Sequence, residues 1–231
     1  MMNYAIIVAG GTGSRMNADI PKQFLSLKGM PVMMHTLLAF HKSQSSPCII
    51  VVLHKDMHDY WSALCETYRF DIPHTLVTGG DSRFSSVKNG IEAIKSMHAN
   101  LSNSLIAVHD AARPLVTPAL IDRTYEQASN TGTAALAVRS INSVRIVSGN
   151  GLKNNACRRE TVYLMQTPQT FNGAVLSDAY EQPEHEMYTD DASVVEKKGY
   201  PISIIDGDTR NIKITFPEDL RIAAILLETI D

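Results

Sequence analysis

A three-layer α/β fold, with a mainly parallel sheet between helices, is what this 231-residue sequence predicts. Three features point to it. Short apolar runs rich in β-branched residues recur along the chain, stretches of helical period separate them, and the first run ends directly in a glycine-rich turn. Strands that read as continuous apolar runs are buried on both faces, so helices must cover both sides of the sheet.

Taken in order, the predicted strands are Ala5–Ala9, Ile49–His54, Thr75–Val77, Leu105–His109, Ala134–Val138 and Ile202–Ile205, with a shorter one at Ile212–Thr215. Helices fall between them at Pro31–His41, Ser82–His98 and Pro118–Ser129. Val87, Ile91 and Ile94 mark one face of the second. Thr117 caps the third and Pro118 suits its first turn, while Pro217, followed by Glu218 and Asp219, starts a last helix in the same manner. No repeat or low-complexity linker interrupts this order. One region departs from the alternation: about residues 139–165 read as two polar strands around a Gly149-Asn150-Gly151 turn. Such a ribbon is marginal alone and is expected to pack on a second copy of the chain, the alternative being a flexible surface hairpin.

Composition narrows the function. The net charge of −3 argues against binding a nucleic-acid strand, which needs many clustered cations. The longest apolar run, Cys48–Leu53, is too short to span a bilayer, and the N-terminal segment lacks a basic head, so no membrane is involved and a cytoplasmic address is expected. Cys48, Cys65 and Cys157 have no metal or disulfide spacing and read as free thiols. The eight dispersed histidines make His109 a structural residue rather than a metal ligand.

The stretch Val8–Phe24, VAGGTGSRMNADIPKQF, holds the chemistry. In a parallel sheet ligands gather at the carboxyl ends of the strands, where this turn falls. Gly10, Gly11 and Gly13 allow backbone N–H groups to approach phosphate oxygens. Neither the dinucleotide fingerprint nor the ATP-type phosphate loop is matched, since Met16 and Arg15 stand where each needs another residue. A merely structural turn competes on those grounds. Arg15 and Lys22, seven residues apart around a loop stiffened by Pro21, can instead converge on an anion larger than one phosphate. Lys213, in an otherwise apolar segment, also demands an anion.

The run A-G-G-T-G-S-R-M followed by P-K-Q-F resembles nucleotidyltransferases that couple a nucleoside triphosphate to a phosphorylated sugar or alcohol. Further segments, His109–Pro114, Gln166–Phe171, Thr189–Ser193, Asn211–Thr215 and Pro217–Leu220, resemble in order the 2-C-methyl-D-erythritol 4-phosphate cytidylyltransferase family. The resemblance implies a single Rossmann-like nucleotidyltransferase domain over residues 1–231, a protruding β-ribbon dimerisation arm, and a homodimer with shared active sites. It implies transfer of CMP from CTP to a phosphorylated polyol with release of pyrophosphate, in the non-mevalonate route to isoprenoid precursors. Mg²⁺ or another divalent cation would be held mainly by the CTP phosphates, which agrees with the lack of an obvious carboxylate cage.

Residue by residue, the resemblance makes Arg15 and Lys22 stabilisers of charge at the α-phosphate, and makes Lys213 and Arg159 the groups that hold the attacking phosphate. Arg159 would reach it from the partner subunit, with Arg158 beside it as an alternative. CTP would lie against Ala9, Gly10, Gly11, Gly13, Gly80, Asp81, Ser86, Asp110 and Ala111. The acceptor would meet Asp110, Arg113, Thr167 and, across the dimer, Ser143. Outside that context Asp110 reads as a turn residue and Ser86 as a helix-surface residue. The Ala9-Gly10-Gly11 loop also resembles ribitol 5-phosphate cytidylyltransferases, which leaves ribitol 5-phosphate as a second acceptor. Arg210 beside Lys213 reads either as an added anion contact or as a surface residue. A catalytically silent nucleotide-binding protein is the alternative of another class, opposed by the coincidence of Arg15, Lys22 and Lys213.

Overall fold

The computed structural model describes residues 1–10, 20–149, 151 and 153–229. Its elements in chain order are β1 (Met2–Val8), the short pair β2 (Ser26–Leu27) and β3 (Met30–Pro31), α1 (Val32–Lys42), β4 (Cys48–Leu53), α2 (His58–Tyr68), β5 (Thr75–Thr78), α3 (Arg83–Ser96), β6 (Ser104–Asp110), α4 (Pro118–Thr131), β7 (Thr133–Arg139), β8 (Val144–Ser148), β9 (Lys153–Cys157), β10 (Tyr163–Asn172), α5 (Gly173–Ala179), α6 (Asp191–Lys197), β11 (Ile204–Asp206) and α7 (Pro217–Leu227). Seven strands form one sheet in the order β11-β7-β10-β6-β1-β4-β5. All neighbours run parallel except β10, which lies antiparallel to both β6 and β7.

Alternation along β1 shows why both faces are covered. Ala5 and Ile7 enter a core with Leu37 and Phe40 of α1, Trp61 of α2, and Ile121 and Tyr125 of α4. Tyr4 and Ile6 enter the opposite core, with Val87, Ile91 and Ile94 of α3, Leu176 of α5 and Val195 of α6. Gly90 lets α3 settle on the sheet, since a Cβ there would lie 2.8 Å from Ile6 Cγ2. The start of α3 is thereby held over the carboxyl end of β1. Its N-cap Ser82 and Ser85 form a reciprocal capping pair.

Two expectations from the sequence are corrected. Residues 212–215 form no strand: the Ile214 N–H donates to the Ala112 carbonyl at 2.8 Å and the Ile214 carbonyl accepts from Lys22 Nζ at 2.8 Å. Both backbone groups are satisfied by a loop and a side chain, which leaves no ladder to join. Conversely, β10 is a ten-residue central strand where the sequence shows only the Gln166–Phe171 motif. Pro168 disguised it, and the structure places that proline where the pairing with β7 shifts register between Met165 and Gln169, a position at which a missing N–H is tolerated.

Tyr163 of β10 pairs with Arg139 of β7, so the chain leaves and re-enters the sheet at one point. Between them β8 and β9 pair antiparallel, from Val144 opposite Cys157 to Ser148 opposite Lys153. Ile146 and Val147 of this ribbon are exposed, as are Ile141 and Leu164 at its base. The three cysteines are free thiols. Among the described residues no helix is long and apolar enough to cross a membrane.

Candidate functional site

The site is assembled at the carboxyl ends of the parallel strands. Val8 of β1 and Asp110 of β6 end as register partners, and Ala9 continues from the first while Ala111 and Ala112 continue from the second. Beside them the β5–α3 turn brings in Gly80, Asp81 and Ser82. These segments, with Lys22, Gln23, Arg83, Ser86 and Lys213, line a cavity of about 230 Å³. Such a position outside the strand ends is where α/β sheets bind ligands.

Small residues give this cavity its shape. Ser86 is buried rather than on the helix surface; its hydroxyl accepts from the Gly80 N–H at 3.1 Å and donates to the Ser82 carbonyl at 2.7 Å. The Gly80 turn is thus pinned to the first turn of α3. A Cβ at Gly10 would lie 3.4 Å from the same Ser86 oxygen, which brings the two glycine segments close together. Gln23, unnoticed in the sequence, donates from Nε2 to the Ala9 carbonyl at 2.7 Å and anchors the turn that carries Lys22. Gly11, Gly13 and Arg15 lie outside the described residues.

A second cavity of about 260 Å³ adjoins the first, lined by Arg113, Met165, Gln166, Thr167, Gln169, Thr189 and Asp190. Arg83, Asp110 and Lys213 line both. Asp110 sits among three cations: Oδ2 is 3.0 Å from Lys213 Nζ and 3.3 Å from Arg113 Nε, and Oδ1 is 3.6 Å from Arg83 Nε. Burial alone would raise its pKa, but Lys213, Arg83 and Arg113 outweigh that and hold the carboxyl well below the usual carboxylate range. Lys213 therefore finds its anion within the protein, and Asp110 is an ionised hub rather than a plain turn residue.

Behind Asp110 a buried chain of hydrogen bonds fixes groups that line the second cavity. The Asp110 N–H donates to Thr167 Oγ1 at 3.1 Å, Thr167 Oγ1 lies 3.0 Å from His109 Nδ1, and His109 Nε2 lies 3.3 Å from the Arg113 carbonyl. A carbonyl can only accept, so Nε2 carries the proton and Nδ1 accepts from the threonine hydroxyl. Burial pushes the imidazole pKa down to about 3 and keeps it neutral. His109 is structural, as its dispersed relatives in the sequence implied. Asn211, fully buried, donates from Nδ2 to the Thr167 carbonyl at 2.9 Å, and its main-chain carbonyl accepts from Arg113 Nη1 at 2.9 Å. Arg210 instead turns to Asp208, with Nη2 2.7 Å from Oδ2, and to the Thr229 carbonyl.

Of the residues expected at the site, Ser143 and Arg159 line neither cavity. Arg159 is half-exposed at the base of the ribbon, where Nη1 donates to the Ile141 carbonyl at 3.2 Å and Nε lies 3.5 Å from Glu160. The sequence reading also missed Arg83. Its only local signal was its place one residue after a helix cap, in a turn already marked by two glycines. Among the described residues no group of three or more His, Cys, Asp or Glu could hold a metal ion. Asp110, the carboxylate at the junction of the two cavities, is itself engaged by three cations.

Comparison with known proteins matches this arrangement. The model of the family described as 2-C-methyl-D-erythritol 4-phosphate cytidylyltransferase matches residues 3–229. The enzyme of that name from Azobacteroides pseudotrichonymphae is 44% identical over 226 residues, covering 97% of this chain and 98% of its own. That from Porphyromonas gingivalis is 44% identical over 225 residues, covering 97% of each. The crystal structure of 4-diphosphocytidyl-2C-methyl-D-erythritol synthase from Anaerococcus prevotii superposes with a TM-score of 0.82 at 27% identity, covering 98% of this chain and 96% of that one. With two adjoining cavities at the strand ends and these matches over nearly its whole length, the chain belongs to the 2-C-methyl-D-erythritol 4-phosphate cytidylyltransferase family.

Proposed function

We propose that the first cavity takes CTP, the second takes the phosphorylated acceptor, and the two meet over Asp110 and Lys213. As a member of its family the chain is a cytidylyltransferase of the non-mevalonate isoprenoid route, transferring CMP from CTP to 2-C-methyl-D-erythritol 4-phosphate. A phosphate oxygen of the acceptor attacks the α-phosphorus, that P–O bond forms, the bond to the β-phosphate breaks, and pyrophosphate leaves. No covalent enzyme intermediate is required. Bringing two polyanions together makes charge neutralisation and alignment the main catalytic needs.

The observation that supports this division is that Arg83, Asp110 and Lys213 line both cavities. Cytosine would rest against Ala9, Gly10, Gly80, Asp81 and Ser86, where the pinned turn leaves room for a pyrimidine. The ribose would approach Asp110 and Ala111. Lys22, and Arg15 with the glycines Gly11 and Gly13, would neutralise the triphosphate. Lys213 would shift from Asp110 toward the attacking phosphate, while Arg113 and Thr167 hold the polyol. A divalent cation such as Mg²⁺, bound to the triphosphate, would screen its charge.

The whole chain would act as one domain with its arm, in the cytoplasm where CTP is available, and as a homodimer. Support for the dimer comes from the ribbon, whose exposed Ile146 and Val147 are unusual for a two-stranded unit with no core of its own. Packing the ribbon on a second copy would carry Arg159 and Ser143 to the partner's acceptor cavity. The test is a crystal of the protein soaked with CTP and Mg²⁺. Cytosine against Gly80 and Ser86, with phosphates beside Lys22, is expected; a nucleotide bound elsewhere would overturn the assignment. Pyrophosphate release with methylerythritol phosphate and none with ribitol 5-phosphate would fix the acceptor.

A further inference from the structure

We propose that Arg83 is a positioning residue for the transfer, holding the Asp110 carboxylate between the two cavities while itself clamped on the buried Asp191. The inference rests on the assignment of both cavities to the reaction. Arg83 opens α3, directly after the Ser82 cap. Its Nη1 and Nη2 donate to Asp191 Oδ1 and Oδ2 at 2.9 and 2.6 Å, a two-pronged contact that fixes the plane of the guanidinium. Asp191, fully buried in the first turn of α6, also accepts from the Tyr180 hydroxyl at 2.6 Å. Tyr180 in turn stacks on Phe84, the next residue of α3, with ring centroids 4.6 Å apart. The fork cannot swing.

With both terminal nitrogens engaged, the Nε edge of Arg83 is left to face Asp110 Oδ1 at 3.6 Å. Oδ2 of the same carboxylate already meets Lys213 and Arg113. Oδ1 is therefore the oxygen with room to accept a hydrogen bond from a ribose or polyol hydroxyl, and Arg83 sets its direction. Asp191 is fully buried while the Arg83 side chain is 31% exposed, and an ion pair with a buried member contributes little net stability compared with apolar packing of the same volume. Its place on the wall shared by both cavities points to a positional use. Lysine could supply the charge but not the fork.

The test is a double-mutant cycle on the full chain, measuring kcat/KM for CTP and for the acceptor together with the melting temperature. Arg83→Lys and Asp110→Asn are each expected to lower kcat/KM about tenfold or more, and the double variant to be no more than about threefold worse than Asp110→Asn alone, because one residue acts through the other. Losses that multiply, or an unchanged kcat/KM in Arg83→Lys, would overturn the proposal. If Asp110→Asn alone is fully active, the site assignment fails, and this inference with it. Should Arg83→Lys melt below the assay temperature, Asp191→Asn, which releases the guanidinium but keeps it, enters the same cycle with the same two outcomes.

Discussion

Lys213 Nζ lies 3.0 Å from Asp110 Oδ2, joining a carboxylate at the end of β6 to a lysine 103 residues later in a segment that belongs to no strand. The pair keeps a cation ready at the junction of the two cavities without leaving it unpaired beforehand. In the proposed assignment an arriving acceptor phosphate would compete with Asp110 for that ammonium. Lys213→Gln is therefore expected to lower kcat/KM for the phosphorylated acceptor by about 10²-fold while changing KM for CTP little. Steady-state kinetics with each substrate varied in turn decide it, and an equal loss on both substrates would place Lys213 elsewhere in the mechanism.

Lys22 donates to the Ile214 carbonyl at 2.8 Å and lines the first cavity, where the proposed triphosphate would lie. Lys22→Ala is expected to lower kcat about 10²–10³-fold, the order found when one transition-state donor is removed, with only modestly weaker CTP binding. Single-turnover rates at saturating CTP measure this. An unchanged kcat removes Lys22 from the chemistry.

Arg159 and Lys22 test the shared site. If each acceptor cavity is completed by the neighbour's ribbon, mixing Lys22→Ala subunits with Arg159→Ala subunits restores activity, since one site in each heterodimer then has both groups. A recovery of about one quarter of the wild-type specific activity is expected, half of the dimers being mixed and half of their sites intact. No recovery means that each site is built within one chain.

His109 gives stability a predictable acid dependence. Its imidazole titrates near 3 when folded, against an ordinary value of 6.5, because burial penalises the charged ring. Between those values the unfolded chain binds a proton that the folded chain does not. The contribution is complete above about pH 6.5 and is lost as pH falls toward 3, at up to about 1.4 kcal/mol per pH unit. Asp110, with its lowered pKa, adds loss in the same direction below the ordinary carboxylate range. Urea unfolding between pH 4 and 8 should show His109→Gln with a lower plateau and a shallower acid slope; an unaltered slope would mean that His109 is not the titrating group.

The sequence by itself determined the six parallel strands, the helices α1, α3, α4 and α7, the glycine-rich run after β1 and the cations near it, because periodicity, caps and turn residues are local properties. The cavity-lining residues Ala9, Gly10, Lys22, Gly80, Asp81, Ser86, Asp110, Arg113, Thr167 and Lys213 are legible in it as well, most of them through the family resemblance of the motifs that carry them. Only the tertiary structure decided that β10 runs antiparallel through the middle of the sheet, between β6 and β7, since Pro168 and the polar Gln166–Thr170 run concealed a strand whose partners are far away in sequence. It also decided that Asp110 collects Lys213, Arg113 and Arg83, and that Arg83 is held by Asp191 from another helix. The Asp110–Lys213 and Arg83–Asp191 contacts join residues more than 100 positions apart; strand order and helix packing set them, and no window along the chain contains them.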